Sequence, residues 1–158
     1  DLHSFPTRRS SDLHIALLES KGVVVGVSSI AGYRGLPGRS AYSASKFALQ
    51  GWLESLRTEL LQSGVHVMWV CPGFTASNIR KVALNSQGQP QGESPLEEEK
   101  LMQAPEVARQ IMKAIEHRKR TLVITFTGKR TIFMNRFFPS LTDKLVHKFF
   151  FKDDELTK

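Results

Sequence analysis

The chain has 158 residues, 41% of them apolar and 23% charged, with a formal net charge of +7 and one cysteine. That is one domain's worth of sequence with an ordinary globular composition, and no stretch approaches the ~20 consecutive apolar residues that a membrane-spanning helix needs. The single Cys71 excludes an intramolecular disulfide framework and points to a reducing, cytoplasmic setting.

The charge is local. From Arg118 to Lys158 there are ten Lys or Arg against four Asp or Glu, so +6 of the +7 lies in that tail. The segment has no zinc-finger spacing, no RNA-binding aromatic run and no long basic block, so it reads as a solvated face and no nucleic-acid partner is expected.

In chain order, residues 1–13 (DLHSFPTRRSSDL) are polar and aperiodic, lack the apolar core of a secretory signal, and resemble a translated sequencing adapter. They are expected to be a non-native or disordered tail, followed by an α/β domain over 14–128 and a helical extension over 129–158. Ile15 to Leu18, ahead of Lys21-Gly22, reads as the end of a helix closed by glycine. Val23 to Val27 is a β-branched run with no polar alternation, the pattern of a strand buried on both faces of a parallel sheet. Ile30 to Ser40, with three Gly and one Pro, is a loop. Phe47, Leu49, Trp52, Leu53, Leu56, Leu60 and Leu61 then recur at helical spacing, predicting a helix over about 41–62. Ser63-Gly64 ends it, and Val65 to Val70 forms a second strand stopped by Cys71-Pro72-Gly73. Asn85 to Glu99, rich in Gly, Pro, Gln and Glu, reads as a mobile lid-like loop. A helix from Val107 to Arg118 and a strand from Thr121 to Phe126 complete the sheet pattern, and Ile132 to Lys152 is amphipathic with a break at Pro139. The fold expected is the carboxyl-terminal half of a Rossmann-type doubly wound parallel sheet, about three strands with flanking helices, plus an amphipathic helical tail.

Chemistry enters at Tyr42-Ser43-Ala44-Ser45-Lys46. Tyr42 and Lys46 are four apart, hence on one helix face about 6 Å apart along the axis. A phenol holds its proton at neutral pH, and a neighbouring ammonium favours the phenolate, so such a pair can serve as general acid and base. Any Tyr/Lys pair at this spacing would satisfy the pattern; position adds to it. Ser28 and Ser29 end the first strand at its carboxyl edge, where open α/β sheets place their sites, and the loop that follows is long enough to return Ser29 beside Tyr42. A strand-end serine is also a common cap. Cys71-Pro72-Gly73-Phe74-Thr75-Ala76-Ser77 fixes a turn whose glycine lets backbone approach a flat ligand.

Taken in order, Val-Ser-Ser-x-Ala-Gly, Tyr-x-x-x-Lys and a strand-end Pro-Gly resemble the short-chain dehydrogenase/reductase family from His14 to about Phe126, and Ser40 to Gly51 resembles its 11β-hydroxysteroid dehydrogenase-like branch. The resemblance implies that Tyr42 gives or takes the substrate proton. Lys46 would favour the phenolate and hold the nicotinamide ribose, and Ser29 would hydrogen-bond the substrate oxygen. Pro72, Gly73 and Thr75 would border the nicotinamide, and Ser77 would face the cofactor's phosphate or amide. The implied reaction is hydride transfer between NAD or NADP and a carbonyl or secondary alcohol, in a parent protein that forms homo-oligomers. The family's amino-terminal glycine-rich turn and the residue choosing NAD or NADP have no counterpart here, so the resemblance implies a truncated and inactive fragment.

The competing reading is a non-enzymatic dimerisation or interaction module built on the 41–62 helix. Phe interleaved with Lys and Arg over 130–152 would also suit an anionic membrane surface, but packing on the same domain or lining the substrate entrance is the stronger expectation. His66 and His117 have no partner at ligand spacing, so no metal is expected; Cys71 reads as a small buried residue.

Overall fold

A computed structural model describes residues 8–77, 82, 88–90, 101–152 and 155–156. Strands β1 (Val23–Val27), β2 (His66–Cys71) and β3 (Thr121–Val123) form one sheet in the order β1-β2-β3. Both pairings are parallel, with Val23 opposite His66 through Val27 opposite Val70, then Trp69 opposite Thr121 through Cys71 opposite Val123. Helices α2 (Ser40–Glu59) and α3 (Ala104–Glu116) connect successive strands, as parallel neighbours require. The expected Rossmann-type sheet is present, and all six residues of β2, its central strand, are buried. Among the described residues no strand pairs with the other edge of β1, whose Val23 and Val27 remain exposed.

The core explains an oddity in the first strand. The run Val23-Val24-Val25-Gly26-Val27 is broken by a glycine because α2 lies directly over it: a Cβ on Gly26 would overlap the Leu53 side chain. Leu53 is fully buried among Leu60, Val65, Val67, Trp69 and Cys71. One turn on, the Arg57 guanidinium lies 4.5 Å from the Trp69 ring, while its Nε donates to Val67 O at 2.9 Å and its Nη2 to Arg120 O at 2.8 Å. One side chain thus ties α2 to β2 and to the residue entering β3.

Helix α1 spans Arg8–Ser20, so helical backbone begins inside the stretch expected as a tail, of which residues 1–7 lie outside the described residues. Its end differs in detail from expectation. The left-handed residue is Lys21 (φ 48°), not Gly22; Lys21 N donates to Leu18 O and Gly22 N to Leu17 O, the paired bonds of a Schellman cap. α3 ends the same way, with Arg118 at φ 45° and bonds from Arg118 N to Ile115 O and Lys119 N to Ala114 O.

Two boundaries move. β3 stops at Val123, short of the expected Phe126, because Thr125 caps a new helix: its Oγ1 accepts from Gly128 N at 3.1 Å. That helix, α4 (Phe126–Phe137), and α5 (Pro139–Phe150) are separated at Phe138, directly before Pro139, where a break was expected. A short antiparallel hairpin, β4 (Phe151–Lys152) with β5 (Glu155–Leu156), follows. The lid-like loop expected over 85–99 lies outside the described residues apart from 88–90.

His66 opens β2 at the edge of the sheet away from Ser28 and Ser29. Burial pushes its pKa below the usual imidazole value, Arg118 and Arg57 push the same way, and a hydrogen bond with the Lys119 backbone opposes them. The unfolded chain therefore binds a proton that the fold resists, so stability is full above pH ~6.5 and falls as pH drops below it. Urea unfolding at pH 7.5 and pH 5.5 is expected to show that loss, with a smaller difference in His66→Gln; an equal loss in both proteins would assign it to other groups.

Candidate active site

Three chain segments meet at the carboxyl edge of the sheet. β1 ends in Ser28-Ser29, which leads into a 3-10 turn, Ile30–Gly32; the Ser29 Oγ caps that turn, accepting from Ala31 N at 3.2 Å. Tyr42 lies in the first turn of α2 and is 45% exposed. Lys46 stands one turn on, its Nζ 5.6 Å from the centre of the Tyr42 ring and donating to Val27 O at 3.1 Å. The ammonium is thus pinned to the strand that delivers the two serines. It also reaches toward the end of β2: it favours the Cys71 thiolate, although burial dominates and the thiol is pushed up to about 11. Cys71 is therefore a neutral buried thiol and no nucleophile.

The chain's two tyrosines have different work. Tyr33 accepts a hydrogen bond from Trp69 Nε1 at 2.8 Å, and burial raises its pKa, partly offset by that bond. It stays a structural phenol, whereas Tyr42 faces solvent.

Gln50 was legible but unassigned. It follows Tyr42 and Lys46 at the same interval of four, so all three share one helical face. It is buried, and its Nε2 donates to Ser28 Oγ at 2.8 Å and Ser29 O at 3.2 Å. The turn fits beneath it only because residue 32 is glycine: a Cβ there would overlap the Gln50 amide and lie 2.8 Å from Lys46 O. Gly32→Ala is expected to cost about 1–3 kcal/mol by overpacking, read as a lowered urea midpoint; an unchanged midpoint would mean the turn yields freely.

Beyond β2, Pro72 and Gly73 turn outward. Gly73 has φ 85°, and a Cβ on it would lie 2.6 Å from Thr125 Cγ2, so only glycine suits that conformation and spacing. Thr75 bridges in parallel to Met102, and Ala76 N donates to Met102 O at 3.0 Å, while Ser77 is exposed farther along. Tyr42, Lys46 and the strand end before Ser29 are brought together, and Pro72-Gly73 ends the adjacent strand. Thr75 and Ser77 lie on the segment leaving it.

The loop from Tyr33 to Arg39 is held from the other side. Arg34 Nη1 bonds Asn135 Oδ1 at 3.1 Å and pairs with Asp143 at 2.6 Å, and Asn135 Nδ2 donates to Tyr33 O at 2.9 Å. α4 and α5 therefore grip the segment between Ser29 and Tyr42, a contact of high sequence separation with no local signature.

Comparison with known proteins agrees with the fold. The family model for short chain dehydrogenases matches residues 11–88. Over that stretch, residues 11–88, the chain carries the sequence of that family. Among its relatives, dehydrogenase/reductase SDR family member 7B of Mus musculus is 30% identical over 138 residues, covering 86% of this chain and 43% of the relative. The uncharacterized oxidoreductase YxnA of Bacillus subtilis is 35% identical over 133 residues, covering 80% and 35%. The chain thus spans less than half the length of these two relatives. A short chain dehydrogenase from Burkholderia cenocepacia, solved with NADP, shares the fold with a TM-score of 0.69 at 19% identity, over 86% of this chain and 52% of that one.

Proposed function

We propose that this chain is the carboxyl-terminal part of an NAD(P)-dependent oxidoreductase that moves a hydride between a nicotinamide and a carbonyl or secondary alcohol. The observation that carries the proposal is the Lys46 ammonium held between the Tyr42 ring and the end of the strand leading to Ser29. Dehydrogenase, reductase and oxidoreductase names among the relatives support it, and they give the non-enzymatic reading of α2 no support. The 11β-hydroxysteroid dehydrogenase-like branch, a cytoplasmic setting and a homo-oligomeric parent complete the proposal.

The residues present fit one end of such a cofactor. Lys46 would hold the ribose, the left-handed Gly73 and Pro72 would let backbone border a flat ring, and Thr75 and Ser77 would flank it. The glycine-rich turn for the pyrophosphate is not among this chain's residues. Bound there, the nicotinamide would supply or accept the hydride. In the reductive direction Tyr42 would give its phenolic proton to the carbonyl oxygen, with the Lys46 ammonium beside it to hold the negative charge left on the ring. The Ser29 oxygen already accepts from Ala31 N, which leaves its O–H to donate to the substrate oxygen.

The test is oxidation of NADPH and NADH over a panel of ketones and aldehydes, by this chain and by a protein that includes its upstream coding sequence. The longer protein is expected to turn over and the chain alone to be nearly inactive. No turnover by the longer protein on any carbonyl would refute the oxidoreductase reading; robust turnover by the chain alone would refute its incompleteness.

A further inference from the structure

The amphipathic segment at the carboxyl end does not bury its apolar side. On α4, Phe126, Phe133 and Phe137 recur seven and four residues apart on one face. On α5, Leu141 and Leu145 continue from Phe138 at intervals of three and four. Phe133, Phe137, Phe138, Leu141 and Leu145 are 48–62% exposed. The two stripes join: the Phe133 ring lies 4.8 Å from Phe137 and 6.5 Å from Phe138 across the helix break. α5 meets the rest of the protein through the side adjoining that stripe, where Thr142 and Phe150 are buried.

Charge decides what covers this face. Residues 126–152 hold six Lys or Arg and one acid, Asp143, and that acid is already paired with Arg34. Lys129 and Arg130 lie beside the α4 stripe, and Lys144 one residue before Leu145 lies about 100° round α5 from it. A second copy of this face would set like charges against each other. An apolar stripe with basic flanks on helices lying flat is the pattern of an interfacial anchor, and among the described residues no helix is long and apolar enough to cross a membrane.

We propose that α4 and α5 form a peripheral docking surface for membranes bearing anionic lipid, with the phenylalanine and leucine stripe entering the headgroup boundary and the basic flanks holding the lipid charge. The proposal is independent of the redox reading.

Flotation of the chain with phosphatidylcholine vesicles, and with vesicles containing about one-third phosphatidylserine, tests it. The chain is expected to float with the anionic vesicles only, and less as salt rises. Leu141→Glu/Leu145→Glu should lower partitioning at least about tenfold. Lys144→Gln/Lys148→Gln should lower it about five-fold per charge removed, with circular dichroism confirming that both variants keep their helices. Equal flotation with both vesicle types, no flotation, or self-association without flotation would overturn the proposal. Because the lipid and salt comparisons use the unaltered chain, they decide the matter even if a variant unfolds.

Discussion

Tyr42→Phe in the longer protein is expected to lower kcat by about two to four orders of magnitude, the usual worth of a positioned general acid or base. The substitution removes one hydroxyl and keeps the ring that Lys46 overlies at 5.6 Å. Tyr42 is half exposed, so the melting temperature should barely move. Tyr33→Phe is the matched control. It deletes the acceptor of the buried Trp69 indole N–H, so it should cost about 1–3 kcal/mol of stability and leave turnover per folded molecule unchanged. Steady-state kinetics and thermal melts on both variants separate the roles. If Tyr33→Phe lost the turnover and Tyr42→Phe kept it, the two tyrosines would be exchanged in the mechanism.

Leu53→Ala is expected to destabilise the fold by about 2–5 kcal/mol, a large share of the ~5–15 kcal/mol that holds a typical domain folded. The side chain is fully buried and sits over Gly26, so its loss opens a cavity between α2 and the sheet. The contact makes a second expectation specific. Gly26→Ala alone should destabilise, since its methyl overlaps Leu53, whereas in the Leu53→Ala background the same methyl enters vacated space and should cost little or restore stability. Urea midpoints for the four proteins of this cycle measure the coupling. Additive effects would show that α2 does not rest on β1 at this point.

Much of this was legible because it is written at short range. The β-branched run of Val23 to Val27, the helical spacing from Phe47 to Leu56 and the Pro139 break each declare themselves within a few residues. Tyr42 and Lys46 share a helical face by arithmetic, and the same arithmetic reaches Gln50, although nothing local says that its amide would find Ser28. What escaped the sequence depends on distance along the chain or on competition at an end. Arg34 meets Asn135 and Asp143 only once the helical extension has folded back. Phe126 looks like strand until Thr125 caps a helix instead, and Lys21 takes the left-handed position that the neighbouring glycine seemed made for. The exposed stripe on α4 and α5 was visible as a pattern, but a pattern does not tell which apolar faces remain uncovered.

The redox assignment is tested most directly by following the hydride itself. The longer protein would be given NADPH deuterated at the transferable position of the nicotinamide, with a ketone it reduces. One deuterium is expected on the carbinol carbon of the product. A product carrying no label at that carbon, or a ketone consumed without oxidation of the nucleotide, would contradict it.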